Sequence, residues 1–241
     1  MLHRLLVFIL IAVYSMVPAS AEPYFSSGPS QVVLLELYSS EGCSSCPPAD
    51  KWLSSLVEHE ALFTKIIPVA FQVDYWDYLG WRDPNAKAEH SARQRKYARA
   101  GFASGVYTPG LFLNGREWRN WRRGKNPQLS SELVGELELE KSGTNWKVTF
   151  DSSHFASEKL RANVALLGFD VTSSVPRGEN AGRKLQHDFV VLEWQSEKLK
   201  NDFTEFKTAE LRHPNKKLAI VTWISKTDQT PIQATGGWIT P

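Results

Sequence analysis

The chain contains two cysteines, Cys43 and Cys46, and the residues on either side of them restrict what this region can fold into. Upstream stands an apolar run, Val32-Val33-Leu34-Leu35-Glu36-Leu37-Tyr38, that reads as a buried strand. Downstream, Pro47-Pro48-Ala49-Asp50-Lys51-Trp52-Leu53 reads as the start of a helix, with both prolines in or near its first turn, where a missing N–H is tolerated. Strand, C-x-x-C, helix places a thiol at a helix N-terminus, where unpaired N–H groups and the positive end of the dipole favour thiolate. The thiolate is the form that attacks disulfides. A bond closing so short a loop removes little unfolded-state entropy, so as a structural staple it contributes little.

The first residues bear on the compartment. Met1-Leu2-His3-Arg4, an apolar run from Leu5 to Val17, and Pro18-Ala19-Ser20-Ala21 follow the order of a secretory signal. Residues 1–21 are therefore expected to be a signal peptide and 22–31 a polar linker. The protein is expected to be periplasmic or secreted, with no stable membrane insertion after cleavage, because the apolar run is short for a span. Lys and Arg number 28 against 26 Asp and Glu, a formal charge of +2 that points to no polyanionic partner. Arg116, Arg119, Arg122, Arg123 and Lys125 interleave with Trp118 and Trp121 as a nucleic-acid patch would, but export argues against that, and no nucleic-acid partner is expected.

Further along, Ile66-Ile67-Pro68-Val69-Ala70-Phe71 is a second apolar run of β-branched character. Strand, helix, strand implies a parallel pair with a right-handed crossover. An aromatic loop from Asp74 to Pro84 follows, then a charged, Ala-rich helix from Asn85 to Ala100, then Leu111-Phe112-Leu113 and the hairpin signal Asn114-Gly115. That order is the thioredoxin arrangement. After Pro127 the pattern changes to alternating strands without helices between them. The predicted fold is an α/β thioredoxin-like domain over residues 32–133, followed by a mostly antiparallel, sandwich-like β domain over 134–241.

Within that frame Cys43 is the expected nucleophile, nearer solvent at the helix tip, and Cys46 the buried resolving thiol. Pro109, in Thr108-Pro109 just before a strand, is expected to be cis and to face the cysteines, with the Thr108 backbone presenting substrate. Glu36, a carboxylate in an apolar strand, is the candidate proton acceptor for Cys46. Tyr75, Trp76, Tyr78 and Trp81 lie on a loop at the carboxyl end of a parallel strand, where α/β sheets bind ligands, and are read as a rim for substrate. A metal would need Cys43 and Cys46 joined by His90, Asp74 or Asp77 around Cu(I) or Zn(II), and no metal ligand set is assigned. His90 reads as solvated on a polar helix face, and His187 as a surface or hydrogen-bonded residue opening a strand.

The residues from Glu36 through Leu37-Tyr38-Ser39-Ser40-Glu41-Gly42-Cys43-Ser44-Ser45-Cys46-Pro47-Pro48-Ala49 to Asp50 resemble the signature of an exported thioredoxin-like family, domain of unknown function 1223. Val73-Asp74-Tyr75-Trp76-Asp77-Tyr78-Leu79-Gly80-Trp81-Arg82-Asp83-Pro84, Val106-Tyr107-Thr108-Pro109 and Arg177-Gly178-Glu179-Asn180-Ala181-Gly182-Arg183 are similar to further motifs of that family. The resemblance implies a thioredoxin-like domain followed by a β domain, with no established substrate. The chain departs from the family pattern at Gln72, Asn85 and Gly110, where the family carries His, Phe and Gln. The first of these removes an imidazole from the neighbourhood of the cysteines.

The expected function is an exported thiol–disulfide oxidoreductase whose only redox group is its own dithiol/disulfide, with no cofactor. Its partners would be protein or small-molecule thiols and disulfides. The competing reading is a redox-inert or metal-holding (Cu/Zn) thioredoxin-like binding module.

Overall fold

The computed structural model describes residues 22–207 and 217–239, so the expected signal peptide lies outside the described residues. The elements in chain order are β1 (Tyr24–Ser26), β2 (Val33–Ser39), α1 (Pro47–Ser54), β3 (Ile66–Gln72), α2 (Ala88–Arg99), β4 (Gly110–Leu113), β5 (Arg116–Glu117), β6 (Leu137–Ser142) and β7 (Asn145–Phe150). They continue with β8 (Arg161–Gly168), β9 (Val171–Ser174), β10 (Lys184–His187), β11 (Val190–Lys198), β12 (Phe203–Lys207), β13 (Leu218–Ser225) and β14 (Pro231–Trp238).

Every residue of β2 and β3 is buried, as continuous apolar runs in a covered parallel pair must be. They pair parallel in the register Val33↔Ile66 to Ser39↔Gln72. β4 adds antiparallel beside β2, and Asn114-Gly115 turns it into β5 with positive φ at both residues (45° and 77°), as a tight hairpin needs. Asn114 also accepts a 2.9 Å hydrogen bond from the Leu34 amide, tying the turn to the sheet.

The predicted fold class does not hold. β2, β3, β4 and β5 are not the sheet of a separate α/β domain; they form one half of an eight-stranded sheet ordered β14-β13-β8-β11-β3-β2-β4-β5. The protein is mostly β, and α1 and α2 are short, at 8 and 12 residues. The join is a parallel bridge between Val190 of β11 and Ala70 of β3, with the Ala70 amide donating to the Phe189 carbonyl at 2.8 Å. β3 thus has a strand on each side, and the second comes from the far half of the sequence. One hydrophobic core runs under this sheet from Leu35 and Phe71 to Trp223 and Ala234.

Period-two alternation explains how the C-terminal strands serve two cores. In β13, Ala219, Val221 and Trp223 belong to the core shared with β2 and β3, while Ile220 and Ile224 face a second core. That second core is closed by a four-stranded sheet, β1-β6-β7-β12. Residues 24–26, expected in a linker, supply its edge strand through Tyr24↔Glu140 to Ser26↔Glu138. β9 and β10 make a separate two-stranded hairpin that reaches over α1.

Candidate functional site

β2 ends at Ser39, and a tight turn carries Cys43 and Cys46 to the start of α1. Cys46 is the N-cap residue, and Pro47 and Pro48 fill the first helical positions. Those prolines remove two of the N–H groups that a helix tip offers an anion, so Cys43 is not held by the first turn of α1. Other groups do this. Cys46 Sγ lies 2.6 Å from Cys43 Sγ, and Ser45 Oγ lies 3.2 Å from it. The Cys46 thiol, and to a smaller extent the Ser45 and Thr108 hydroxyls, outweigh burial and lower Cys43 to about 6. Burial pushes Cys46 well above the usual thiol range, reinforced by the charges of Cys43 and Asp50. Both cysteines are free thiols.

Cys43, expected nearer solvent than Cys46, is nevertheless covered. Cys43 is 1 % exposed and Cys46 0 %. A strap between β9 and β10 lies over the turn that bears them. Asn180 Nδ2 donates to the carbonyls of Glu41 (2.8 Å) and Cys43 (2.9 Å), and Glu179 accepts from the amide and hydroxyl of Ser44. Gly42 permits the close approach of the aromatic loop, since a Cβ there would stand 2.9 Å from Trp76 Cβ.

The other expected residues divide into groups. The Thr108-Pro109 bond is cis, and Pro109 is buried. Trp76 Nε1 donates to Thr108 Oγ1 at 2.8 Å, joining the aromatic loop to the proline turn beside Cys43. Tyr75, half-buried, donates to Gln94 Oε1 at 3.0 Å, and burial pushes its hydroxyl up, with Cys46 adding to the effect. Trp81 turns its indole N–H to Glu41 Oε2 at 2.7 Å. Tyr78 is 78 % exposed and stands apart from these contacts. The tryptophans of the basic run, Trp118 and Trp121, pack at a tilt against Trp52 of α1, while Arg116 sits over Phe102 and Arg119 pairs with Glu117.

Glu36 is buried, but its carboxylate is taken up on the α2 side of the sheet. It accepts from Arg93 Nε at 2.7 Å, Tyr97 Oη at 2.7 Å and Tyr38 Oη at 3.1 Å. His90 is buried rather than solvated: Nδ1 meets the Gln72 carbonyl at 2.8 Å, and burial lowers the ring to about 4. Among the described residues no group of three or more His, Cys, Asp and Glu is arranged to hold a metal ion.

Sequence reasoning missed a second cluster on the α1 side. Ser39 donates to Asp50 Oδ2 at 2.9 Å. His187, 3 % exposed, places Nδ1 3.6 Å from Asp50 Oδ1 and Nε2 3.5 Å from Glu41 Oε1. Both are ion-pair rather than hydrogen-bond distances. Burial disfavours the imidazolium, but the Asp50 and Glu41 carboxylates outweigh it and raise His187 to about 10. Burial likewise pushes Glu41 up, and contacts from His187, Ser173 and Trp81 reverse this and leave it below its usual value. Asp83, whose Oδ2 accepts from the Glu41 amide, is raised to about 6 by burial and by the Glu41 charge. No spacing signal announced His187, which arrives from β10.

Among solved structures, the fold is similar to that of protein AGR_C_4864 from Agrobacterium tumefaciens, at 23 % identity and a TM-score of 0.61, covering 86 % of this chain and 94 % of that one. It is also similar to HBP35 of Porphyromonas gingivalis, at 14 % identity and a TM-score of 0.55, covering 86 % of this chain and 75 % of that one. At these identities the likeness concerns the fold alone. No curated protein matches the chain. The model of the protein family of unknown function DUF1223 matches residues 34–224, and the chain belongs to that family.

Proposed function

We propose that this protein is an exported thiol–disulfide oxidoreductase that works through Cys43 and Cys46. The observation that carries the reading is the inequivalence of two touching thiols. Cys43 is lowered to about 6 and is largely thiolate at neutral pH, whereas Cys46 is held as a thiol. A nucleophile and a protonated resolving partner are what stepwise exchange through a mixed disulfide requires. Thr108, on the turn opposite Cys43, presents its backbone to an extended substrate, and Trp76 and Tyr75 wall that approach. The partners are protein or small-molecule thiols and disulfides. Because Cys43 is covered, reaction with a large substrate requires the Ser44–Glu179 contact or the Trp76 wall to open.

Trapping tests the assignment. Cys46→Ala is expected to accumulate mixed disulfides through Cys43, seen on non-reducing gels after acid quench, and Cys43→Ala is expected to trap none through Cys46. Equal trapping by both variants, or by neither, removes the proposal.

A further inference from the structure

Asp50 follows Cys46 by four residues in the first turn of α1, its amide donating to the Cys46 carbonyl at 3.1 Å, so that the two side chains share one face of the turn. His187 lies on the far side of Asp50, between it and Glu41. A cleft of ≈ 300 Å³ is lined by Asp50 and His187 together with Lys51, Lys184, Gln186 and Asp188, of which Lys51, Lys184 and Gln186 are exposed. The cluster is short of partners. Both His187 ring nitrogens and Glu41 Oε1 are buried and meet each other or Asp50 only at 3.5–3.6 Å, without a hydrogen bond. Native proteins rarely leave buried polar atoms so, and a cluster of them beside an open cleft is suited to proton exchange with water.

We infer that His187, clamped between Glu41 and Asp50, is a positioning residue for the dithiol, orienting the Asp50 carboxylate as the proton acceptor for Cys46 with the adjoining cleft as the proton's route to solvent. This rests on the oxidoreductase reading and deepens it. The charges that face His187 are Glu41 from the cysteine turn, Asp50 from α1 and Asp83 from the segment before α2, with Lys51, Lys184 and Asp188 around the cleft. Three carboxylates in one buried site cannot all stay ionised without a cation among them. Without His187, Asp50 Oδ1 loses the group that faces it and the Cys46 proton has no held acceptor.

The step balances as follows. The Cys43 thiolate attacks one sulfur of a substrate disulfide, forming a Cys43–substrate bond and releasing the other sulfur as thiolate with its electron pair. Cys46 then passes its proton to the Asp50 carboxylate, and its thiolate attacks Cys43 Sγ. The Cys43–Cys46 bond forms, the second substrate thiolate leaves, and both leaving groups take protons from water. The dithiol loses two electrons and the substrate disulfide gains them, while Asp50 returns its proton through the cleft. The reverse sequence regenerates the dithiol.

The test follows resolution of a glutathione mixed disulfide by stopped-flow Trp fluorescence across pH, in the mature protein. His187→Gln is expected to slow resolution at pH 7 by about tenfold and to raise the pH of half-maximal rate by about one unit, the two being one upward shift of the Cys46 thiol, which titrates well above pH 7. Asp50→Asn, which leaves the His187–Glu41 pair in place, is expected to slow the same step at least as much, and the double variant to lose no more than Asp50→Asn alone. A wild-type profile kept by His187→Gln, or additive losses in the double variant, would overturn the inference while leaving the oxidoreductase reading intact. A wild-type protein that never forms the glutathione adduct removes both. Should His187→Gln fail to fold, the wild type still decides. By linkage, its His187 titration, followed by NMR of the ring protons, must fall when the Cys43–Cys46 pair is oxidised. A titration indifferent to the redox state rejects the role.

Discussion

Two buried polar clusters lie back to back on opposite faces of the same parallel strands, and they differ in how completely they are paired. On the α2 side, Glu36 receives Arg93, Tyr97 and Tyr38, and the Arg93 guanidinium is packed among Phe71, Tyr97, Trp194 and Trp223. On the α1 side, Glu41, Asp50 and His187 meet at 3.5–3.6 Å, with atoms to spare and a cleft beside them. A fully satisfied buried network fixes one arrangement of the core. A buried cluster with unspent capacity next to thiols can accept and release protons. The contrast sets a carboxylate with all its partners in place, Glu36, against carboxylates held only at ion-pair distance.

The most severe test of that contrast is Arg93→Met, which leaves Glu36 buried without its cation. It is expected to cost about 3–5 kcal/mol in urea unfolding at pH 7, with much of the loss recovered in the Glu36→Gln/Arg93→Met pair. A loss under about 1 kcal/mol, the scale of a surface pair, would erase the distinction between the two clusters. Next in size is Gly42→Ala. Its methyl meets Trp76 and is expected to cost about 1–3 kcal/mol as overpacking, while speeding iodoacetamide modification of Cys43 by pushing the aromatic wall outward. Slower or unchanged modification would mean that Trp76 does not guard the thiol.

The pH dependence of stability sharpens the α1 side. His187 is raised from an ordinary 6.5 to about 10, so its contribution is fully present below pH 6.5 and is lost as pH rises toward 10. The oxidised protein, in which neither thiol titrates, isolates it: unfolding free energy should decline as pH rises above 6.5, over a window that closes earlier than in the reduced protein, and His187→Gln should flatten the decline. In the reduced protein, Cys43 alkylation should reach half its plateau rate near pH 6. The smallest effect is expected from Glu179→Ala, which releases only the exposed contact to Ser44. Melting should be unchanged while Cys43 becomes modestly more reactive. An altered melting temperature would make the strap part of the framework rather than a cover.

What the sequence disclosed was what contiguous residues carry. β2, β3, the cysteine turn and the Asn114-Gly115 hairpin each announce themselves within a few positions. The fold class failed because a strand's second neighbour leaves no local mark. Ile66 to Gln72 reads the same whether its free edge meets solvent or β11. The same reason hid the site. Arg93 reads as one charge among many on α2, and His187, which closes β10, reads from the sequence as opening an ordinary strand, so neither betrays the carboxylate it meets until β3, α2 and β10 are assembled. Glu36 could be read as buried from its apolar neighbours, but the residue it pairs with could not.

The single parallel bridge that joins Ala70 to Val190 also governs the order in which this molecule can be completed. During synthesis β3 emerges long before the strand that flanks it, and closing so large a loop must precede any reward from the contact. Until then the seven-residue apolar strand β3 has an uncovered edge, the kind of template on which other chains pair. A fragment ending at residue 133 would keep that edge permanently bare and is expected to aggregate rather than fold. The thiols therefore reach their finished surroundings only after Glu179, Asn180 and His187 have been made and the strap that bears them has closed over the cysteine turn.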